Sequence, residues 1–364
     1  MSSYICDELL EEIFKRLPSK TLLQLRSLSK SWCSRISNPN FILKQTALQS
    51  ARNADQKILI KHKVNYFENF YTLLQYQSTL NSKPMKFPTG YIVASCNGII
   101  CLHDPHSFNA NVSLWNPSIR RKLTIPYPGF YKYYSKFAGF GFDSNTNDYK
   151  IVLLFYRQGE QNKTLVYSLK KRVWCEITPP STLTTGVKSP ACFFNGVLHW
   201  GVENYRFGVY ILTFDLTTHI FSKITMPEDP NFLTICPIIY KGCLGMLFST
   251  WWHYRLLVMK EYNDNTSWYT VSTLENLQFE GPIDVALQLT NGNLLIKNDK
   301  FVYEIGVCSP LCVRESSKFS IDSMVMYVES LALLDIGTLC DADQPYFIRK
   351  KKNKRMSRLL CFRF

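Results

Sequence analysis

The chain has 364 residues, 46% hydrophobic and 19% charged, so it can bury a core and is not a disordered polymer. Aromatics reach 14%, which favours strands, and 16 Gly with 17 Pro exclude a collagen-like or low-complexity chain. The formal net charge is +14, but residues 349–364 (RKKKNKRMSRLLCFRF) hold eight Lys or Arg and no acid, and the +6 left for the other 348 residues is too dilute for a nucleic-acid groove.

The N-terminus carries Asp7, Glu8, Glu11 and Glu12 where a secretory leader would be basic and then apolar. Leu9, Leu10, Ile13, Phe14 and Leu17 fall on the i, i+4, i+8 rows of an amphipathic helix over Asp7–Leu17, which Pro18 ends. Ser19 is placed to cap a second helix, Lys20–Leu28. A third runs through Trp32 and Ile36 to Asn38-Pro39, and Asn40 then caps a helix over Phe41–Arg52. So short a helical piece cannot bury Leu9, Ile13, Leu17, Leu22, Leu23, Leu25, Leu28, Trp32 and Ile36 by itself. Either it packs on the rest of the chain as a cap, or part of its apolar surface belongs to a partner.

From residue 57 the period changes to two and the sequence repeats itself. Asn97-Gly98, Asn195-Gly196, Lys241-Gly242 and Asn291-Gly292 each sit between apolar strands, with glycine spacings of 98, 46 and 50. GFGFDSNTNDYKIVLLFY near Gly141–Tyr156 fills the double interval. Trp174, Phe221 and Trp268 follow strand-and-turn segments at spacings of 47 and 47, with Trp115 read as an earlier copy and Tyr303 as a decayed later one. A period of 46–50 is that of a propeller blade, and residues 57–340 hold about six such repeats. The double glycine of true kelch repeats is absent, and a β-sandwich is the rival fold. Ile235–Trp252 is the most apolar stretch; Lys241 and Gly242 break it, so it falls short of a spanning helix.

No catalytic motif stands out: there is no G-x-S-x-G elbow, P-loop, helix-opening G-x-G-x-x-G or H-E-x-x-H. Gly139-Phe140-Gly141 lies in a strand context and reads as a bulge or close-packing site. His199 alternates with apolar neighbours, as a core histidine does. Cys96, Cys101, His103 and His106 have no structural-zinc spacing and read as buried thiols on a core strand. Cys236/Cys243 and Cys308/Cys312 lack further ligands, so no metal and no cofactor are expected. The 12 Cys are expected to be free in a reducing compartment. In the tail, Arg349, Lys350, Lys351, Lys352, Lys354 and Arg355 read either as a nuclear import signal or as a solvated, disordered terminus. Arg363 stands where a prenylation signal at Cys361 would be aliphatic, which argues against a lipid anchor.

Residues 4–44, YICDELLEEIFKRLPSKTLLQLRSLSKSWCSRISNPNFILK, resemble the F-box of plant F-box proteins. The match lies in the acidic first helix, Arg16-Leu17-Pro18, Leu22-Leu23, Arg26-x-x-x-Lys30-Ser31-Trp32 and Ile36 before Asn38-Pro39. It departs at Ile5-Cys6, where the family has Leu-Pro, so the approach to the first helix loses a stiffening proline. SCNGIICL, LWNPSIRR, GFGFDSNTNDYKIV, YSLKKRVW, NGVLHWG, LTFDL, VMKEY and SW at 267–268 are similar to the F-box-associated, kelch-like domain. The resemblance implies a helical F-box over 4–50 and an all-β propeller-like domain over 57–340, with the basic tail at 349–364. It implies a non-catalytic substrate receptor of an SCF-type ubiquitin ligase, cytoplasmic and/or nuclear. The F-box would dock a Skp adaptor, and through it a cullin, by Ile5, Ile13, Leu17, Pro18, Leu22, Leu25, Trp32 and Ile36. Trp32 is the residue best suited to a mini-core instead. The second domain would hold an unidentified substrate protein. Pollen S-locus F-box proteins share this layout. The competing class is a propeller enzyme or lectin-like binder with a helical extension.

Overall fold

The computed structural model describes residues 6–52, 56–63, 69–75, 90–104, 111–126, 135–155, 162–179, 187, 189–204, 208–227, 234–249, 253–275, 283–298, 302–306, 312–315, 320–336 and 338–339. Four short helices come first: α1 (Asp7–Phe14), α2 (Ser19–Leu25), α3 (Lys30–Ser37) and α4 (Pro39–Ser50). The expected order holds, with shifted ends. α1 stops at Phe14 because the Arg16 and Leu17 amides turn back to the Ile13 and Phe14 carbonyls just before Pro18. Ser19 does not cap α2; it is buried inside the first turn, and Pro18 holds the capping position. The side chains that do cap are Ser29, accepting from the Trp32 amide at 3.1 Å, and Asn38, accepting from the Asn40 amide at 2.8 Å. Pro39 suits the first position of a helix, where its missing N–H costs nothing, so α4 starts two residues earlier than Asn40 would place it.

The strands form six antiparallel sheets arranged as the blades of a propeller. Blade I joins β1 (Lys57–Lys63) and β2 (Asn69–Gln75) to β23 (Ser320–Tyr327). Blade II holds β3 (Tyr91–Cys96), β4 (Ile99–Asp104), β5 (Asn111–Asn116) and β6 (Arg121–Pro126), with β24 (Thr338–Leu339) added outside β6. Blade III holds β7 (Ser135–Asp143), β8 (Asp148–Phe155), β9 (Lys163–Ser168) and β10 (Val173–Ile177); blade IV holds β11 (Cys192–Phe194), β12 (Val197–Asn204), β13 (Gly208–Asp215) and β14 (Phe221–Thr225). Blade V holds β15 (Thr234–Tyr240), β16 (Cys243–Ser249), β17 (His253–Met259) and β18 (Trp268–Glu275). Blade VI holds β19 (Ile283–Gln288), β20 (Leu294–Asn298), β21 (Val302–Ile305) and β22 (Cys312–Glu315). The innermost strands β3, β7, β11, β15, β19 and β23 contact one another in turn and close the ring. Blade I mixes strands from both ends of the domain, with Lys57 opposite Tyr327, so the circle is locked by hydrogen bonds. Closure of this kind shields sheet edges that would otherwise pair with other chains. The β-sandwich alternative is thereby set aside.

Each blade is apolar on both faces because each is packed between two neighbours. On β4, Ile99 and Cys101 join a cluster with Phe140, Ile151 and Leu153 of blade III, while Ile100 and Leu102 turn to Leu59 and Tyr71 of blade I. Similar clusters fill the spaces between blades III and IV, IV and V, V and VI, and VI and I. Central strands therefore read as nearly continuous hydrophobic runs, as in DYKIVLLF of β8, rather than with a strict period of two. Trp115 belongs to this core: it is fully buried on the third strand of its blade, as Tyr303 is on β21. Trp174, Phe221 and Trp268 instead sit at the start of fourth strands, so the first two residues are not members of their series.

The repeated glycines all lie in the turn between first and second strands. Asn97 and Gly98, Asn195 and Gly196, and Lys241 and Gly242 have φ of 49° and 77°, 50° and 78°, and 48° and 78°, the two left-handed residues of a type I′ hairpin. Gly139 and Gly141 are close-packing sites, as expected: a Cβ on either would overlap Leu198 or Phe193 of blade IV.

Candidate protein-docking site

One side of the helical module is sealed to the propeller. Phe14, Leu22, Ile36 and Phe41 are buried together with Ile119 from the turn after β5 and with Leu331 and Leu334, which follow β23. Ile42 of α4 packs against the cluster that contains Ala332 and Leu333. The Gln45 and Gln49 side-chain amides both donate to the Leu17 carbonyl, at 3.4 and 3.3 Å, and so tie α4 to the end of α1. Arg26 meets Asp335 at 3.4 Å across the junction. The surplus apolar surface is thus partly that of a cap.

Away from that seal, several large apolar side chains stay in solvent. Leu9 is 58% exposed, Ile13 48% and Leu28 65%. Leu9 and Ile13 are four apart on α1 and lie on one stripe. Of the residues expected to dock an adaptor, Ile13 and Pro18 are exposed, while Leu17, Leu25 and Trp32 are half-buried around the module's own core. Leu22 and Ile36 are fully buried and hold the helices together; in this arrangement they present nothing to a partner. Trp32 packs its ring on Phe14 at 4.6 Å and carries Arg35 over its face at 5.3 Å, which suits the mini-core role. Ile5 lies outside the described residues. Leu9 and Leu28 were absent from the expected docking set, although both stand among the apolar residues that the helical piece cannot bury by itself. Charge is held locally: Lys15, nearly buried, bridges Glu12 at 2.6 Å and Glu11 at 3.3 Å, and the Glu12 contact raises its pKa.

Several buried polar groups of the propeller hold turns. Burial alone would raise the Asp143 pKa, yet hydrogen bonds from Thr146, Lys150 and Thr217 hold it well below the carboxylate range. Lys150 reaches Asp143 at 2.9 Å and also the Leu216 carbonyl, so the turn of blade III is riveted to blade IV. His199 is fully buried, and burial pushes its pKa down to about 4. Its Nδ1–H donates to the Cys192 carbonyl at 3.2 Å, which leaves Nε2 to accept from the Tyr262 hydroxyl at 2.9 Å. This is the expected core histidine. Cys96, Cys101 and His103 are buried in blade II, with the Cys96 thiol pushed up to about 12 by burial; His106 lies outside the described residues. A central cavity of about 360 Å3 is lined by inner strands, including Ile92, Cys236, Ala286 and Met324, with Asp284 on its wall.

Comparison with known proteins accounts for both parts. Residues 3–44 match the F-box domain, and residues 51–304 match the F-box associated beta propeller domain, more than two thirds of the chain. The chain belongs to the F-box-associated β-propeller family. An F-box/kelch-repeat protein of Arabidopsis thaliana is 24% identical over 290 residues, covering 74% of this chain and 79% of that one. A second, described as a putative F-box/kelch-repeat protein of the same plant, is 27% identical over 268 residues, covering 65% and 64%. Among solved structures, TolB from Acinetobacter baumannii aligns over 79% of this chain and 72% of its own at a TM-score of 0.51 and 9% identity. A chain of the Nidogen/Laminin complex aligns over 75% and 99% at 0.50 and 10%. These two likenesses concern the fold. Among the described residues no helix is long and apolar enough to cross a membrane.

Proposed function

We propose that the chain is the substrate-recognition subunit of an SCF-type ubiquitin ligase, its F-box docking a Skp-type adaptor and its propeller holding the protein to be ubiquitinated. The observation that carries this reading is the solvent exposure of Leu9 and Ile13, one stripe of α1, and of Leu28 after α2, on an F-box whose core is already sealed against the propeller. Exposed large apolar side chains grouped on one face mark a partner surface. The subunit does no bond chemistry in this reading; it raises the effective concentration of substrate lysines near a charged conjugating enzyme.

Substrate binding is assigned to the end of the ring away from the F-box. The strap after β23 and the tight turns at Gly98 and Asn116 occupy the F-box end. At the other end Tyr91, 51% exposed, starts the first strand of blade II with Lys61 placed 5.2 Å from its ring. Co-expression with a plant Skp adaptor tests the docking claim: the intact chain is expected to retain the adaptor, and a chain without residues 1–50 to lose it. Retention by both would end the reading. The basic tail, residues 349–364, is proposed to direct nuclear import; it lies outside the described residues. A fluorescent fusion lacking it is expected to shift towards the cytosol, and unchanged localisation would refute the import role.

A further inference from the structure

We propose that Asn116 is a positioning residue that fixes the angle between F-box and propeller by latching the segment 328–336 between them. Asn116 ends β5 and is fully buried. Its Nδ2 donates to the Ser330 carbonyl at 3.0 Å and to the Ala332 carbonyl at 2.8 Å. Its Oδ1 accepts from the Ser118 amide at 3.0 Å and from the Tyr327 hydroxyl at 3.3 Å. One side chain thereby joins blade II to the last residue of β23 and to the strap that leaves it.

The strap has no slack on either side. Beneath it, Gly98 has φ of +77°, and a Cβ there would overlap the Ser330 hydroxyl and the Val328 carbonyl. Above it, Leu331 and Leu334 pack into the F-box core beside Phe14, Leu22 and Phe41. Leu333 is held at φ 68°, a left-handed conformation that a leucine keeps only when its surroundings impose it. The F-box is bonded in sequence to β1, and the strap continues from β23, which pairs with β1. Both attachments therefore start from blade I, and without the latch the F-box would pivot about that blade. If the chain acts as a ubiquitin-ligase receptor, this angle sets the distance from bound substrate to the ubiquitin donor; the latch itself is intramolecular and does not rest on that reading.

The test measures geometry in the full chain. Donor and acceptor fluorophores are introduced as unnatural amino acids at Gln24 of α2 and Asn265 of blade V, both exposed. Asn116→Asp keeps the shape but removes both donors, and Gly98→Ala pushes the strap from below. Gly196→Ala is the matched control, because it has nearly the same φ, +78°, with nothing within 4 Å of the added Cβ. At a temperature where circular dichroism is unchanged, the wild type and the control are expected to give one narrow distance distribution, and the other two variants a broadened or displaced one. A wild-type distribution in either variant, or an equal shift in the control, overturns the latch. Should Asn116→Asp fail to fold, Gly98→Ala against Gly196→Ala decides. Adaptor co-purification run on the same samples separates failure of the latch from failure of the receptor reading.

Discussion

Replacing Leu9, Ile13 and Leu28 together by alanine separates docking from folding. Fully burying such a side chain stabilises by about 1.5–3 kcal/mol. In the free chain Leu9 is 58% exposed, Ile13 48% and Leu28 65%, so roughly half of each remains for a partner to cover. Each truncation then removes about 1 kcal/mol of binding and the triple variant about 3 kcal/mol, a loss on the order of a hundredfold in affinity. Folding should change much less than for a core residue, since about half of each side chain is already solvated and alanine is the best helix former at Leu9 and Ile13 of α1. Leu22→Ala is the counter-case. Leu22 is fully buried against Phe14, Ile36 and Leu331, and its truncation is expected to cost about 2–5 kcal/mol of stability. Calorimetric titration with the purified adaptor, alongside thermal melts of the same proteins, reads both quantities. Were the triple variant to bind within about twofold of the wild type, or to melt as early as Leu22→Ala, the division into docking stripe and inner core would be wrong.

Acid should destabilise the fold through His62 and His199, both buried, whose pKa values are pushed down to about 4 by burial. The unfolded chain takes up their protons near pH 6.5, so each contributes stability above that pH, losing up to about 3 kcal/mol as pH falls to 4; equal urea midpoints at pH 7 and pH 4.5 would contradict this. Asp143→Asn should cost about 3–5 kcal/mol in chemical denaturation, because Lys150 is left buried without its counter-charge, and adding Lys150→Met should recover much of the loss. Gly141→Ala should cost about 1–3 kcal/mol by forcing the Phe193 ring out of place between blades III and IV, and a melting temperature unchanged from wild type would show that ring to be free to move.

The parts legible in the sequence are those fixed by local chemistry. Asn-Gly turns announced the first hairpin of several blades because two successive left-handed residues are demanded there, and their spacing counted the blades. The F-box helices were legible from their apolar rows. What escaped was set by contacts far along the chain. Whether Leu22 or Leu9 faces a partner depends on Ile119, Leu331 and Leu334, which lie far along the chain and show no pattern of their own. Trp115 was assigned to the outer-strand series because a core tryptophan and an outer one have the same sequence neighbourhood: strand, turn, strand. The joining of blade I was equally silent, since β1, β2 and β23 carry no turn glycine that marks them as one sheet.

That mixed blade explains why the F-box can be held at one end of the ring. In a propeller the hairpin turns between first and second strands, and between third and fourth, emerge together, and here those of blades II and III bear Gly98, Asn116 and Asp143. Strand β1 enters the ring from that end: Lys57 at its start is ion-paired with Glu329, and Gln56 donates to the Gln288 carbonyl at 2.9 Å while accepting from the Thr290 amide at 2.8 Å. Strand β23 runs antiparallel to β1 and therefore finishes at the same end. The chain thus delivers its helical module and its closing segment to one place, where the tight turns offer Ile119 as an apolar seat and Asn116 as a polar one. Without the strap that leaves β23, the F-box would be held by its covalent link to β1 alone; the packed strap adds a second, non-covalent tether. Two tethers and a buried seat hold a module too small to fold by itself in a defined direction on the ring.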